Sequence, residues 1–160
     1  MNLVKILRNT FLVVLLGLSL SACATKSKNM GSQIQGDVYT GTDTVEYLAK
    51  GVPDRVFFAT NESILTTRSR DTLRKQAAWL RKNPSINVVL EGHADERGTR
   101  EYNLALGERR ANAAKDYLMT YGISGSRLNV ISYGKERPVN SGSNPLAWSQ
   151  NRRSVTVKAN

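Results

Sequence analysis

The sequence has very few residues of the kinds that form disulfide bonds or bind transition metals. It contains one cysteine and one histidine in 160 residues. One cysteine cannot close an internal disulfide, and these two residues fall short of the four ligands that a structural zinc site needs. We therefore exclude dithiol redox chemistry and zinc fingers, and we expect no metal ion and no other cofactor.

Acidic residues are also scarce relative to basic ones. The chain has 13 Asp and Glu against 23 Lys and Arg, which gives a formal net charge of +10. This excess predicts an attraction to anions without saying which ones. The basic residues are scattered rather than clustered with aromatic residues, so they do not indicate a nucleic-acid-binding surface. With 40% hydrophobic residues, the chain is long enough for one ordinary domain and a tail, which excludes a large multidomain enzyme.

Residues 1–22 have the layout of a secretory signal. Two positive side chains, Lys5 and Arg8, precede an apolar run over residues 11–20, and small residues follow. The run is shorter than the roughly 20 apolar residues that a membrane-spanning helix needs. We therefore interpret residues 1–22 as an export signal that is cleaved.

The chain's cysteine lies directly after this segment. The tetrapeptide Leu20-Ser21-Ala22-Cys23 resembles the bacterial lipobox, in which the cysteine is acylated and the signal is cleaved before it. Several acyl chains together anchor a protein stably, whereas one chain alone is marginal. Ala24 stands where an aspartate marks inner-membrane retention in related lipoproteins, so the resemblance implies the outer membrane. The alternative is a plain export signal followed by an incidental cysteine.

Composition changes again near residue 50. Residues 23–50 are rich in Gly, Ser, Thr, Asn, Lys and Asp, and they show no sustained helical or strand period. The sequence therefore predicts a lipidated N-terminus with a flexible tether over residues 23–50 and a folded domain over residues 51–160.

Within the folded domain, strand and helix periods alternate along the chain. The pattern predicts strands at residues 55–59, 86–90, 127–133 and 153–158, and helices from Thr66 or Thr67 to Asn83 and over residues 101–121. A short turn is also expected near residues 145–148. The order βαβαββ indicates the α/β class, a sandwich in which two main helices pack on a mixed four-stranded sheet.

One arginine falls on the apolar face of the second predicted helix. Arg110 lies four residues after Leu106 and four before Ala114, where a buried charge without a partner would cost several kcal/mol. Asp95, in the loop that leads into this helix, is the nearest candidate partner.

Two interpretations of Asp95 and Arg110 remain open from the pattern alone. One is an internal Asp95–Arg110 ion pair that fixes the loop. The other is a cleft for a zwitterion, whose ammonium group would bind the carboxylate and whose carboxylate would bind the guanidinium.

Several ordered blocks of this sequence resemble the signature of OmpA-like peptidoglycan-binding domains. The blocks are Gly-His-Ala-Asp-Glu-Arg-Gly-Thr at residues 92–99, Tyr102-Asn103, Leu-Gly-Glu-Arg-Arg-Ala at residues 106–111, Ser-Tyr-Gly-Lys-Glu-Arg-Pro at residues 132–138 and Asn-Arg-Arg at residues 151–153. The resemblance extends from about residue 56 to residue 157. Ordered blocks over such a length are a much stronger signal than one short motif.

The resemblance implies a set of site residues. By position, Asp95 and Arg110 would bind the diaminopimelate of the peptidoglycan stem peptide. The further contacts that the resemblance implies are Arg97, Asn103, Leu106 and the main-chain amides near Ala59 and Thr60. Many relatives have aspartates in this turn, whereas this chain has Ala59 and Asn61. The resemblance therefore supports main-chain contacts there but not a carboxylate.

On this basis the sequence predicts a protein that binds and does not catalyse. We expect an outer-membrane lipoprotein, anchored at Cys23 and facing the periplasm, that binds peptidoglycan noncovalently and tethers the membrane to it. The resemblance also implies a place in the Tol–Pal envelope system and binding to TolB through a surface that overlaps the peptidoglycan site. Export removes the chain from nucleic acid, which we exclude as a partner.

Two alternatives to this function are a cell-wall hydrolase and a general binder of anionic polymers. A hydrolase would use Glu91, His93 or Asp95, but it needs two tuned acid–base groups or an activated nucleophile, and the sequence offers only the acids. For His93 we expect a hydrogen bond that orders its loop. For Arg152 and Arg153 we expect solvated or sheet-edge positions, or a long-range attraction to anionic wall polymer.

Overall fold

A computed structural model describes residues 34–159 of the chain. The export signal, Cys23 and the first part of the tether lie outside these residues, so export, acylation and anchoring stay predictions. Within residues 34–159, no helix combines the length and apolar character needed to cross a membrane.

The described residues form a four-stranded sheet, two long helices, one short helix and two small hairpins. In chain order they are β1 Ile34–Gln35, β2 Val38–Tyr39, β3 Tyr47–Ala49, β4 Val52–Pro53, β5 Arg55–Phe57, α1 Thr67–Lys82, β6 Val88–His93, α2 Arg100–Thr120, a 3₁₀ turn Gly125–Arg127, β7 Leu128–Gly134, α3 Pro145–Asn151 and β8 Arg153–Lys158. The βαβαββ order is that of β5, α1, β6, α2, β7 and β8, with the short helix α3 at the predicted turn.

The main sheet has the strand order β5-β8-β6-β7. β6 and β7 are parallel, while β8 lies between β5 and β6 and is antiparallel to both. The predicted mixed four-stranded sheet is confirmed. Because β8 is central, the residues just before it, at the end of α3, lie beside the carboxyl end of β6, where a loop begins.

Both long helices begin at a threonine and pack an apolar face on the sheet. The hydroxyl oxygen of Thr66 accepts a hydrogen bond from the amide of Ser69, and that of Thr99 accepts one from Tyr102. Such caps satisfy amides that have no partner within the helix. Apolar side chains of both helices and of the sheet form the core: Leu73, Ala77 and Leu80 of α1 with Ala111, Ala114 and Leu118 of α2, against Val88, Leu90 and Leu128 of the sheet.

Two glycines let α2 approach β6 closely. A Cβ atom on Gly92 would lie 1.8 Å from the carbonyl oxygen of Gly107, and one on Gly107 would lie 2.4 Å from Oγ of Ser132. Neither contact is possible for real atoms, so no larger residue fits without moving the helix. This crossing fixes the first turns of α2 beside the loop that follows β6.

The second half of the predicted tether is not a tether. Residues 34–39 and 47–53 form two antiparallel hairpins. Tyr39 is fully buried, and its ring packs edge-on against Phe57 with centroids 4.8 Å apart. The carboxylate of Asp37 pairs with Arg152 at 2.7 Å. The sequence missed these hairpins because strands of two or three residues are too short to show a period.

Candidate functional site

A cleft of about 520 Å³ opens between the turn after β5 and the start of α2. Five of the predicted site residues line it together: Thr60, Asp95, Arg97, Asn103 and Leu106. The remaining lining residues, which the sequence did not single out as contacts, are Asn61, Gly98, Thr99 and Tyr102. Leu106 is 3% exposed and supplies an apolar surface, whereas Tyr102 is 42% exposed.

Asp95 is the carboxylate of this cleft, and two arginines neutralise it. Its Oδ1 accepts hydrogen bonds from the amide and Nε of Arg97, both at 3.1 Å. Its Oδ2 accepts from Nη2 of Arg97 at 2.7 Å and from Nη1 of Arg152 at 3.2 Å. Burial alone would raise the pKa of Asp95, but the hydrogen bonds from Arg97 and Arg152 outweigh it and hold the pKa below its usual value. Asp95 is therefore ionised at neutral pH.

The two arginines that bind Asp95 differ in solvent exposure. The side chain of Arg97 is 42% exposed, and its guanidinium lies 4.3 Å from the centroid of the Trp148 ring. The side chain of Arg152 is 3% exposed, and its Nε also donates to the carbonyl of Phe58 at 3.1 Å. Of the two arginines, Arg97 is the one that a cationic ligand group would replace beside Asp95, because Arg97 borders solvent and Arg152 is buried.

Arg110 lies behind the cleft and does not contact Asp95 by a hydrogen bond or ion pair in the described residues. Its guanidinium is fully buried and donates to three main-chain carbonyls, those of Glu62 at 2.8 Å, His93 at 2.9 Å and Ala59 at 3.0 Å. The internal Asp95–Arg110 ion pair, one of the two interpretations of the sequence, is therefore wrong. Asp95 pairs with Arg97 and Arg152 instead.

The position of Arg110 explains how a buried charge is tolerated on the apolar face of α2. Burial lowers its pKa to about 10, helped by the positive charge of Arg152 and opposed by Asp95. Arg110 is thus still charged at neutral pH, and three carbonyl dipoles surround it. Its bond to Ala59 holds the turn that presents the amide of Thr60. The direct ligand contact predicted for Arg110 stays a prediction, and the structure gives it a positioning role.

The loop after β6 is held by side chains of α2 and of the segments beside it. Nδ2 of Asn103, which is 2% exposed, donates to the carbonyls of Arg97 at 2.7 Å and Thr99 at 3.1 Å. Nζ of Lys135 donates to the carbonyl of Gly98 at 2.8 Å. Asn103 therefore shapes the rim of the cleft, in addition to lining it.

The turn after β5 forms the other side of the cleft through Thr60 and Asn61. Asn61 has a positive φ of 57°, a conformation that Asn tolerates better than most residues. The carbonyl of Ala59 accepts from the amide of Glu62 at 3.2 Å and from Arg110, so the turn is closed and anchored. Ala59 itself is half-buried and does not line the cleft.

Two expectations for neighbouring residues are wrong. His93 was expected to make an ordering hydrogen bond, but both of its ring nitrogens are buried without a hydrogen-bond partner in the described part of the chain. Arg152 and Arg153 were expected in solvated or edge positions, but they are 2% and 6% exposed. Among residues 34–159, no group of three His, Cys, Asp or Glu could hold a metal ion.

Comparison with known proteins places this site in a family. The family model described as the OmpA family matches residues 57–152. The chain belongs to the OmpA family. The matched segment begins in β5 and ends at Arg152, so it contains the whole cleft.

Relatives of this OmpA domain extend the similarity beyond the matched segment. The peptidoglycan-associated lipoprotein of Rhizobium meliloti is 46% identical over 157 residues, covering 95% of this chain and 89% of the relative. That of Agrobacterium fabrum is 45% identical over 159 residues, covering 96% and 89%.

Solved structures share the fold. The crystal structure of the peptidoglycan-associated lipoprotein from Burkholderia pseudomallei matches with a TM-score of 0.65 at 35% identity, covering 66% of this chain and 90% of that chain. The C-terminal domain of Helicobacter pylori MotB matches with a TM-score of 0.62 at 17% identity, covering 67% and 84%, which shows a common fold alone.

Proposed function

We propose that this chain binds peptidoglycan noncovalently through the zwitterionic end of diaminopimelate in the stem peptide. The observation that carries the proposal is that the ionised Asp95 and Thr60 line the same cleft. A carboxylate suits an ammonium group, and a main-chain amide beside guanidinium groups suits a carboxylate. The relatives named peptidoglycan-associated lipoprotein support peptidoglycan as the polymer that is bound.

The rest of the cleft suits an amino-acid end group attached to a longer polymer. Leu106 and Tyr102 provide apolar contact for the methylene chain, while Arg97 and Asn103 border the polar end. Arg110 contributes by holding the Ala59–Thr60 main chain and by adding positive charge beneath it. These are the residues that we propose as the binding site.

Catalysis of wall cleavage is disfavoured by the ionisation of the nearby groups. Hydrolysis of a glycosidic bond needs a protonated acid, whose pKa is raised. Hydrogen bonds from Ser143 and Trp148 lower the pKa of Glu96, and arginines lower that of Asp95. His93 is buried and its pKa is about 3, so it is neutral at pH 7. We therefore propose binding without turnover.

The tethering role rests on both ends of the chain. We propose that Cys23 is acylated and holds the outer membrane, while the cleft holds the wall on the periplasmic side. We further propose that the chain acts within the Tol–Pal system and that TolB competes for a surface overlapping the cleft. The similarity to a peptidoglycan-associated lipoprotein over 95% of this chain supports a lipid-anchored role at the wall.

Co-sedimentation with purified peptidoglycan tests the proposed function. The chain should pellet with diaminopimelate-containing wall and release no soluble fragments on prolonged incubation. Release of fragments would favour the hydrolase. Equal pelleting with an unrelated anionic polymer would favour the general polymer binder.

A further inference from the structure

The N-terminal hairpin places a carboxylate at the edge of the cleft. Oδ2 of Asp37 accepts a hydrogen bond from the main-chain amide of Thr60. Its Oδ1 accepts from Nη2 of Arg152 at 2.7 Å, and the same Nη2 donates to the main-chain carbonyl of Asp37. Asp37 thus contacts two residues of the domain that lie 23 and 115 positions further along the chain.

One of these partners lines the cleft, and the other is bonded to the cleft's carboxylate. Thr60 is the one that lines it. Arg152 joins Asp37 to Asp95, because its Nη1 donates to Asp95 and its Nη2 donates to Asp37. A main-chain amide next to a guanidinium is the arrangement that binds a carboxylate group. Asp37 therefore uses the donors that a ligand carboxylate would need.

The charges around Arg152 indicate what happens when Asp37 leaves. Two carboxylates and three guanidinium groups interact here. Arg97 and Arg152 lower the pKa values of both Asp37 and Asp95, and Asp95 also acts on Arg110. Without Asp37, one negative charge fewer would balance these three positive charges. The buried Arg152 would also lose a partner for Nη2, which is costly unless another anion replaces it.

The hairpin that carries Asp37 is a small structure. β1 and β2 have two residues each, and Gly36 joins them with a positive φ of 62°. An isolated two-stranded hairpin is at best marginally stable in water. The turn at Gly36 and Asp37 is exposed, while Tyr39 is buried. The turn can therefore move away from the cleft while Tyr39 keeps the segment on the domain.

We infer that the Thr60 amide and the Arg152 guanidinium form a carboxylate subsite, that Asp37 occupies it in the free protein, and that a ligand carboxylate displaces Asp37 on binding. This inference rests on the proposed function for the identity of the ligand. The hairpin then competes with the ligand, because the ligand carboxylate can bind only to those molecules in which Asp37 has left the subsite.

The matched pair Asp37→Ala and Asp43→Ala tests this inference. Both remove one negative charge from the same N-terminal segment, but the carboxylate of Asp43 binds Gln150 at 3.2 Å and does not bind Thr60 or Arg152. Full-length proteins in detergent micelles would be titrated with a muropeptide that has free diaminopimelate carboxylates and with its amidated counterpart. Because the carboxylate of Asp37 is 48% exposed, its ion pair contributes about 1 kcal/mol, so we expect D37A to bind the free acid about two- to fivefold more tightly. D43A should match the wild type, and the gain should vanish with the amidated ligand. Equal or weaker binding by D37A would overturn the inference.

Acetate provides a test that does not depend on the cell wall. In D37A, acetate should shift the ¹⁵N–¹H resonance of the Thr60 amide at a lower concentration than in the wild type or in D43A. An equal response in the three proteins would overturn the carboxylate subsite, even if all of them bind muropeptide. If the Thr60 amide responds to acetate but no protein binds muropeptide, the subsite stands and the proposed function fails.

Discussion

The buried guanidinium of Arg110 donates to the main-chain carbonyl of Ala59 at 3.0 Å. Arg110 lies in the middle of α2, and Ala59 precedes Thr60 in the turn after β5. The bond therefore connects the helix that carries one side of the cleft to the turn that carries the other. The same guanidinium also binds the carbonyls of Glu62 and His93, so removing it would take a donor from both, including the buried carbonyl of His93.

Replacing Arg110 by Lys should weaken both the fold and ligand binding. The ammonium group keeps the charge but lacks the planar fork that reaches three carbonyls at once. Each buried acceptor left without a donor costs about 1 to 3 kcal/mol, so we expect a loss of that order in the free energy of unfolding, measured in urea. The control is Arg109→Lys, since Arg109 is the exposed neighbour on the same helix. Equal stability of the two variants would contradict the positioning role.

Replacing Asp95 by Asn should abolish most of the affinity for diaminopimelate-containing muropeptide. The amide cannot pair with an ammonium group, and hydrogen bonds to charged groups contribute about 1.5 to 3 kcal/mol. We expect affinity to fall by about one to two orders of magnitude in calorimetric titration. Asp116→Asn, an exposed site on α2, is the control for lost charge. A folded D95N that binds like the wild type would remove Asp95 from the site.

The buried His93 should make the fold less stable in mild acid. Burial lowers its pKa to about 3, and the positive charges of Arg153, Arg55 and Arg137 add to the effect. In the unfolded chain the pKa returns to about 6.5. As the pH falls from 6.5 toward 3, the unfolded chain binds a proton that the folded protein does not, so the free energy of unfolding decreases.

Urea unfolding of the wild type and of His93→Gln at pH 7, 6 and 5 measures this linkage. Between pH 6 and pH 5 the wild type should lose about 1 kcal/mol more than the variant, because one proton contributes at most about 1.4 kcal/mol per pH unit. The Asp and Glu residues are the same in both proteins, so their contribution cancels in the comparison. Parallel pH profiles of the wild type and the variant would mean that His93 is protonated equally in the folded and unfolded states.

Replacing Gly92 by Ala should disturb the crossing of α2 over β6. The added Cβ would meet the main chain of Gly107 rather than a flexible side chain, so the helix must move. Overpacking of this kind costs about 1 to 3 kcal/mol, and it should also weaken muropeptide binding because the crossing positions the cleft. The control is Ala105→Ser, at an exposed position of the same helix. An unchanged melting temperature for G92A would show that the helix can shift at no cost.

Replacing Cys23 by Ala should release the chain from the outer membrane. The side chain has no sulfur to acylate, and the remaining signal segment is short for a spanning helix. After cell fractionation we expect the variant in the soluble periplasmic fraction or as an unprocessed precursor. Mature variant recovered with outer membranes that have been stripped of peptidoglycan would contradict the lipid anchor.

The main elements could be predicted because each carries a local signal. Thr66 and Thr99 cap their helices, and the apolar positions of α1 recur at one face, so both long helices begin within a residue or two of the predicted position. The two N-terminal hairpins carry no such signal. Their place is set by Tyr39 packing against Phe57, a contact between residues that no sequence period relates.

The candidate site could be predicted in part for the same reason. The resemblance supplied five residues that line one cleft, namely Thr60, Asp95, Arg97, Asn103 and Leu106. The roles of Arg110 and Arg152 could not be inferred, because their partners are distant in sequence: Arg110 binds carbonyls 48 and 51 residues away, and Arg152 binds Asp95 and Asp37, 57 and 115 residues away. The Asn-Arg-Arg segment at residues 151–153 was the one available signal for Arg152.

The central claim is that the cleft recognises both charges of the diaminopimelate end group. The most direct measurement is calorimetric titration of the protein with two muropeptides that differ at this residue, one with diaminopimelate and one with lysine, which keeps the ammonium group but lacks the second carboxylate. Because hydrogen bonds to a charged group contribute about 1.5 to 3 kcal/mol, diaminopimelate should bind at least about tenfold more tightly. Equal affinity for the two ligands, or no binding of either, would contradict the account.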